Sequence, residues 1–395
     1  LWGVVVGHGD LHVGQSSVRR EEVAPRQVLG EPVDSVDTGQ LRRWLQGDPG
    51  QPTPPASRWK GRNSDWQHFV FSDVILMPDA WEYSWFAAWD LAFHCVTMAL
   101  IDPDLAKEQV LLLLSSTTQH PHGQVPAYEW SFGDTNPPVH AWAAWQVYQL
   151  DKRRTGIGDH LFLAQSYSAV TLDVMWWLNQ KDDENRGVFG GGFLGMDNIG
   201  VFDRDQPLPT GGTLDQADGT AWMATLVLQM LEITVELSHS DPGYLRMFGR
   251  WVWDGWLIAN ALEKGAGNVS FWNDEIGFYN DVIEFPEGTA TPLEVFSMQA
   301  VVPLFACISI PATAVEALAS INTEITRLRA AYKVPDGATK LRLSGGDGSH
   351  VMVAIVEQER LATMLKRLLD PGQFLSPHGL RSLSKYHEDH PYVYH

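Results

Sequence analysis

The segment Phe189–Asn198 surrounds one carboxylate, Asp197, with four glycines and two phenylalanines. Glycine lets a backbone pack closely or take positive φ. Apolar neighbours remove water from a carboxyl group, which raises its pKa toward the value that a general acid needs. The segment therefore has the composition of a proton-donating loop. A turn in which Asp197 caps the following helix explains the same residues, because Asp and Asn serve turns and caps well.

A second group of residues combines aromatic rings with acids. The stretch Trp81–His94 contains three tryptophans and a tyrosine around two carboxylates, one of which is Asp90. On a helix Asp90 and His94 share a face, so a polar group can project beside the rings of Trp89 and Phe93. Such a platform suits a sugar ring and its hydroxyls, whereas an aromatic stripe at helical spacing is also what a buried core requires.

A third group lies in the loop Gln124–Pro138, which leads into a helix. Its side chains can both stack on a polyol and hydrogen-bond to it, and loops carry a large share of binding residues. The candidate substrate-binding residues of this loop are Tyr128, Glu129, Trp130, Asp134 and Asn136. Asn136 also suits the N-cap of the helix that follows the prolines. The segment Trp272–Asp281 is typical of a tight hairpin rather than of a site.

Other chemistries lack their sequence signatures. The glycine-rich run 345–349 has neither the Lys-Ser/Thr pair of a P-loop nor the spacing of a dinucleotide fingerprint. The chain has no Gly-x-Ser-x-Gly elbow, and neither cysteine has the polar neighbours of a nucleophile. The histidines at 120 and 122 lack zinc-ligand spacing. We therefore expect no metal and no cofactor.

The composition is that of a folded globular protein. Hydrophobic residues make up 44% of the 395 positions, and no stretch approaches the roughly 18 apolar residues of a membrane span. A formal charge of −20, without a basic cluster, disfavours nucleic acid as a partner. Cys95 and Cys307 lie in apolar runs, which favours reduced core thiols and a cytoplasmic location. The first residues have no signal-peptide pattern.

Helical periodicity dominates the chain from about residue 60. Residues 1–60 are expected to form an irregular N-terminal segment and a proline-rich linker, and residues 61–395 one helical domain. Helices are predicted at 84–101, 104–117, 138–150, 158–179, 217–238, 242–264, 292–307, 311–332 and 350–369. The stretches Gly277–Ile283 and Leu341–Ser344 predict small β-hairpins.

The predicted helices are of two kinds. Ala221–Leu237 and Trp85–Leu100 are apolar on nearly all faces, which is typical of inner helices, whereas 158–179 and 354–369 are amphipathic. The chain has no βαβ rhythm and no repeat of fixed period. This pattern predicts an all-α fold, an α/α toroid whose loops at one end hold a pocket.

The order of several motifs resembles that in glycoside hydrolase family 63. Along the chain these motifs are Trp89–His94, Asn136–Pro138, Gly195–Asn198, Trp272–Asp281 and Gly379–Ser384. The family includes processing α-glucosidase I and bacterial mannosylglycerate hydrolases. The likeness is greatest to a poorly characterised bacterial and fungal branch, and it extends over about residues 41–395.

The resemblance implies an (α/α)6 barrel that hydrolyses an α-linked glucoside or mannoside with inversion. The implied catalytic acid is Asp197. The implied sugar subsite contains Trp89 and Asp90, with Phe93 and His94 beside them. An oligosaccharide or small glycoside is therefore the expected partner.

The same resemblance implies that Asn136 and the prolines after it line this pocket. Glu129 and Asp134 lie next to this motif in sequence and are our own additions to the site. An inverting glycosidase also needs a second carboxylate, about 6.5–9.5 Å from the acid, to activate water. In the family this base lies in a Glu-containing aromatic motif near the C-terminus, and the chain ends at His395 before such a motif. We therefore expect an incomplete barrel without the base. The alternative is a noncatalytic carbohydrate-binding α/α toroid.

Overall fold

The computed structural model of the chain contains helices and short strands. It describes residues 4–5, 73, 75–77, 87–127, 135–182, 184–190, 201–202, 208–265, 269–333, 342–345 and 348–394. The α-helices of these residues are α1 (Ala88–Met98), α2 (Pro103–Leu113), α3 (His140–Thr155), α4 (His160–Gln180), α5 (Ala217–Ser238), α6 (Phe248–Lys264), α7 (Val315–Tyr332), α8 (Gln358–Leu368) and α9 (Tyr386–Asp389). Two 3₁₀ helices cover Pro242–Arg246 and Met298–Phe305.

The strands of the described residues are short and pair only antiparallel. They are β1 (Val4–Val5), β2 (Ile75–Leu76), β3 (Thr213–Asp215), β4 (Trp272–Asn273), β5 (Phe278–Tyr279), β6 (Val282–Glu284), β7 (Ala290–Pro292), β8 (Cys307–Pro311), β9 (Arg342–Gly345), β10 (His350–Ala354), β11 (Leu375–Ser376) and β12 (Gly379–Leu380). Two sheets have three strands, in the orders β8-β10-β9 and β3-β6-β7. The fold is thus mostly helical, with more β-structure than isolated hairpins.

Local sequence explains where several helices begin and end. Pro103 opens α2, and the Asp102 side chain before it accepts a hydrogen bond from the Leu105 amide at 3.1 Å, as an N-cap does. Gly156 follows α3 with a φ of 77° and donates its amide hydrogen to the Lys152 carbonyl. Asp102 and Pro103 thus confirm the predicted start of α2, whereas α3 continues five residues beyond its predicted end at residue 150.

Two predicted helices are wrong in whole or in part. Residues 292–307, predicted as one helix, contain only the 3₁₀ helix Met298–Phe305; Pro303 within it has no amide hydrogen, and a proline inside a helix disfavours a regular α-helix. Residues 350–354, predicted as the start of a long helix, form the central strand β10 between β8 and β9. The alternating Val351 and Val353 suit a strand, and pairing on both sides outweighs the helical pattern.

The chain divides into two compact units, residues 1–173 and 174–395. In the first unit α1, α2 and α3 pack against one another. In the second unit α5 packs against α6, the 3₁₀ helix Met298–Phe305 and strand β8. The domain boundary predicted near residue 60 lies outside the described residues.

Helix α5 is the central element of the second unit. With 22 residues, the helix is long enough and its mean hydropathy high enough to cross a membrane. It is the one such helix in the described part of the chain. However, 83% of its most apolar 18-residue window is buried inside the protein. A core helix has this property, so its apolar sequence is explained by packing.

Candidate functional site

The structure describes only some of the residues predicted for the site. Asp197 lies outside the described residues, and so do Tyr128, Glu129, Trp130 and Asp134. The described candidates are Trp89, Asp90, Phe93, His94 and Asn136, all in the first unit. The site is therefore built here from helix α1 and from the ends of the loop that precedes α3.

Helix α1 presents a partly exposed aromatic surface. The Trp89 and Phe93 rings, one turn apart, meet edge-on with centroids 5.4 Å apart. Phe93 also meets Trp142 of α3, with centroids 5.2 Å apart. All three rings are only partly buried. They form a surface of the kind on which the C–H face of a sugar ring stacks, and we call these three residues the aromatic surface.

Asp90 reaches solvent beside the aromatic surface. It is exposed, yet the surrounding protein partly desolvates its carboxyl group and raises its pKa, against the opposing effect of His94. Desolvation lowers the pKa of His94, opposed by a contact between its Nδ1 and the Leu76 carbonyl at 3.4 Å and by Asp90. The helix thus places a carboxyl and an imidazole on one face, as its sequence predicts.

A loop segment runs along the start of α1. The Ala127 carbonyl accepts a hydrogen bond of 3.0 Å from the amide of Ala88, the first residue of α1. Asn136 is 7% exposed, and α3 begins four residues later at His140. The N-cap position of α3 is Val139, so the interpretation of Asn136 as its cap is wrong.

Two buried residues behind this loop were not among the candidates. The Asp173 carboxyl, on α4, accepts a hydrogen bond from the Val125 amide at 3.2 Å through Oδ1, and its Oδ2 lies 3.5 Å from Nδ1 of His140. Both side chains are at most 3% exposed, and desolvation raises the pKa of Asp173. One sequence signal was available: Asp173 lies next to apolar positions on the buried face of a long helix.

A second cluster of charges lies in the second unit. The Arg186 guanidinium lies 2.8 Å from Glu284, 2.9 Å from Glu184 and 3.5 Å from Asp215. Desolvation, together with the two glutamates and against the effect of Arg186, raises the pKa of Asp215 to about 6. This cluster connects strand β3, which carries Asp215, to its paired strand β6, which carries Glu284.

Val201 is one of the residues that line a cleft of the second unit. The cleft, about 320 Å³ with its open side included, is lined by Val201, Asn280, Asp281 and Gln299 among others. Asp281 caps α5 by accepting a hydrogen bond of 2.8 Å from the Ala217 amide. The preceding residues form the antiparallel pair β4-β5, which confirms the predicted hairpin.

Arg381, in the motif Gly379–Ser384, has a structural role. The Arg381 guanidinium donates hydrogen bonds to the Leu375, Gln373 and Pro371 carbonyls at 2.6–3.4 Å, so it holds the turn after α8. In the described part of the chain, no three His, Cys, Asp or Glu side chains lie close enough together to hold a metal ion.

Comparison with known proteins identifies the class of the domain that carries the aromatic surface. Residues 83–204 match the model of the family described as the mannosylglycerate hydrolase MGH1-like glycoside hydrolase domain. This part of the chain is therefore similar to a glycoside hydrolase domain of the mannosylglycerate hydrolase type. The match confirms the resemblance to glycoside hydrolase family 63 inferred from the order of the motifs.

A fungal relative matches most of the chain. Uncharacterized protein YMR196W of Saccharomyces cerevisiae is 40% identical over 363 residues, which are 88% of this chain and 33% of the relative. The chain thus spans about a third of the length of the relative that it matches. The match fits the bacterial and fungal branch inferred from the sequence.

Solved structures of proteins from Thermus thermophilus also align with the chain. A family 63 mannosylglycerate hydrolase in complex with glucose aligns with a TM-score of 0.43 and 18% identity, over 57% of this chain and 67% of that chain. The same hydrolase in complex with Tris and D-glycerate aligns with a TM-score of 0.42 and 18% identity, over 63% and 71% of the two chains.

Proposed function

We propose that the protein is a glycosidase that hydrolyses an α-linked glucoside or mannoside with inversion at the anomeric carbon. The observation that carries this proposal is the exposed carboxyl of Asp90 beside the aromatic surface, within residues that match a glycoside hydrolase domain. A pyranose needs both features, because its C–H face stacks on aromatic rings and its hydroxyls donate hydrogen bonds to a carboxylate.

In the proposed site Asp90 binds the sugar and does not transfer the proton. Asp90 accepts hydrogen bonds from ring hydroxyls, and His94, one turn on, supplies a second polar contact. The lowered pKa of His94 favours its uncharged ring near neutral pH, and because its Nδ1–H faces the Leu76 carbonyl, its Nε2 is an acceptor for a ligand hydroxyl. Asn136 and the loop residues Tyr128, Glu129, Trp130 and Asp134 complete the proposed subsite.

Asp197 is the proposed general acid. Its carboxylic acid gives a proton to the glycosidic oxygen as the bond from that oxygen to the anomeric carbon breaks. A second carboxylate, which we assign to no residue of this chain, removes a proton from water, and the water oxygen bonds to the anomeric carbon from the opposite face. The products are the sugar of inverted configuration and the free alcohol.

The role of Asp197 is tested by two substrates that differ in their leaving group. Fluoride leaves without protonation, whereas the alcohol of mannosylglycerate or of an α-linked disaccharide needs an acid. We expect Asp197→Asn in the complete natural protein to lower kcat/KM for the glycoside about 10³-fold. Turnover of the matching α-glycosyl fluoride should fall far less.

Equal losses on the two substrates would contradict the assignment of a general acid, and so would undiminished hydrolysis of the glycoside. The alternative function, carbohydrate binding without catalysis, predicts a measurable Kd for the sugar and no turnover of either substrate. Calorimetric titration with methyl α-D-glucopyranoside and methyl α-D-mannopyranoside measures that binding directly.

We also propose a cytoplasmic location, which the two free thiols support. Cys95 is buried, as expected, and burial raises the pKa of its thiol. Cys307 was expected in the core, but on strand β8 it faces outward.

A further inference from the structure

We propose that Asp173 is a positioning residue that joins the two ends of the segment 125–140 behind the proposed sugar subsite. The inference rests on the proposed function, because positioning has a purpose only if the site binds a sugar. Asp173 contacts Val125 and His140, neither of which is a candidate ligand position. It acts through the backbone of Val125 and the side chain of His140.

The geometry of Asp173 carries this inference. Its two carboxyl oxygens face different neighbours: Oδ1 accepts a hydrogen bond from the Val125 amide at 3.2 Å, and Oδ2 lies 3.5 Å from Nδ1 of His140. These neighbours are 15 positions apart in sequence, one before and one after the loop that contains Asn136. A single buried carboxyl therefore lies against both loop ends, with a hydrogen bond to the first and a close polar approach to the second.

The backbone just before Val125 packs against the same part of α4. The Gln119 side-chain amide donates hydrogen bonds to the Gly123 carbonyl at 2.8 Å and to the Ala169 carbonyl at 2.9 Å. Gly123 lies so close to the Leu172 carbonyl that an added Cβ would come within 2.3 Å of its oxygen. The turn before Val125 thus lies directly against residues 169–173.

The hydrogen bond between Asp173 and Val125 lies only two residues from the hydrogen bond that joins the loop to helix α1. Val125 is bonded to Asp173, and Ala127 accepts the hydrogen bond of Ala88, the residue before Trp89 and Asp90. A shift of Val125 would therefore change the relation between the loop and the first turn of α1. A displacement of about 1 Å in a positioned group is enough to weaken a site strongly.

The burial of Asp173 argues for positioning rather than for stability. A carboxyl group that is 1% exposed gives up its hydration, and one hydrogen bond from the Val125 amide recovers only part of that free energy. Asp151, in the same unit, is a useful contrast. It is 5% exposed, and its ion-pair partners, Lys107 of α2 at 2.6 Å and Arg154 of α3 at 3.5 Å, belong to neither loop end.

The test compares Asp173→Ala, Asp173→Asn and the control Asp151→Ala by calorimetric titration of the full chain with methyl α-D-glucopyranoside and methyl α-D-mannopyranoside. We expect Asp173→Ala to raise the Kd of the bound glycoside about tenfold or more. Asp173→Asn keeps an acceptor for the Val125 amide and should recover part of this loss. Asp151→Ala should lower the Tm and leave Kd within about twofold.

Hydrogen exchange separates this inference from the proposed function. Asp173→Ala should speed amide exchange in residues 124–127 and 135–140, and Asp151→Ala should not. An unchanged Kd in folded Asp173→Ala, or an equal rise in Asp151→Ala, would overturn the positioning role. If the unmodified chain binds neither glycoside, the proposed function fails. In that case hydrogen exchange by itself tests the structural link. Faster amide exchange confined to the two loop ends in Asp173→Ala supports the link through Asp173, and unchanged exchange refutes it.

Discussion

Three carboxyl groups on helices of this chain differ in what surrounds them, and their chemistry differs accordingly. Asp90 is exposed beside aromatic rings, Asp173 is enclosed behind a loop, and Glu232 lies on the central helix α5. Desolvation raises the pKa of all three. Only Asp90 combines a raised pKa with access to a ligand, which suits a binding role.

Glu232 makes a testable contribution to pH-dependent stability. Desolvation raises its pKa to about 7, against hydrogen bonds from the Ser309 backbone and Gln229 and with a further rise from Glu236. The unfolded chain releases this proton near pH 4.5. Between these values the folded state holds more protons, so the free energy of unfolding falls as pH rises from 4.5 to 7 and levels off above 7.

Glu232→Gln should remove this component and stabilise the protein at pH 8 by roughly 1–3 kcal/mol, at about 1.4 kcal/mol per pKa unit. Urea unfolding at a series of pH values measures the difference between the variant and the unmodified chain. Glu359→Gln, the same substitution at an exposed position on α8, is the control. A difference curve that is flat between pH 4.5 and 7 would refute the account of Glu232.

At the scale of elements, the turn before Val125 depends on one glycine. Gly123 has a φ of 100° and faces the Leu172 carbonyl, whereas Gly156, after α3, has a φ of 77° and open space around its Cα. An alanine at either position is strained by its φ, but only at Gly123 does the new Cβ also clash with backbone.

We therefore expect Gly156→Ala to lower the free energy of unfolding by about 1 kcal/mol. Gly123→Ala should lower it by about 3 kcal/mol, since the clash forces the turn away from α4. Chemical denaturation of the two variants gives the comparison. Equal effects would mean that the turn does not pack on α4 as described.

Elements were predictable where local chemistry decides them. Asp102 and Pro103 mark the start of α2, because a cap and a proline need no distant partner. Strand β10 was missed because its apolar residues suit a helix as well as a strand. Its pairing with β8 and β9 depends on residues that are remote in sequence, and this pairing decided the outcome.

The site was predictable to a similar extent. The helical face shared by Asp90 and His94 follows from their spacing alone. The link from Asp173 to Val125 and His140 joins positions 33 to 48 residues apart, which no local pattern encodes. The prediction for Asp197 stays a prediction, because this residue lies outside the described part of the chain.

At the scale of the whole molecule, the net charge affects the binding of anionic substrates but not of neutral ones. The formal charge of −20 repels an anionic glycoside at long range, and salt screens that repulsion. We expect KM for mannosylglycerate to fall when NaCl is raised from about 20 to about 200 mM, where the Debye length shortens from about 20 Å to below 10 Å. KM for a neutral α-linked disaccharide should stay constant under the same change, and a rise in KM for the anion would point to a strongly basic pocket.

The central claim is that the complete protein hydrolyses an α-linked sugar with inversion. Proton NMR of the hydrolysis of α-glucosyl fluoride and α-mannosyl fluoride tests it most directly, because the anomeric signal identifies the first product before mutarotation. We expect the β-anomer to appear first from at least one of the two substrates. Release of the α-anomer, or no hydrolysis of either fluoride, would contradict the claim.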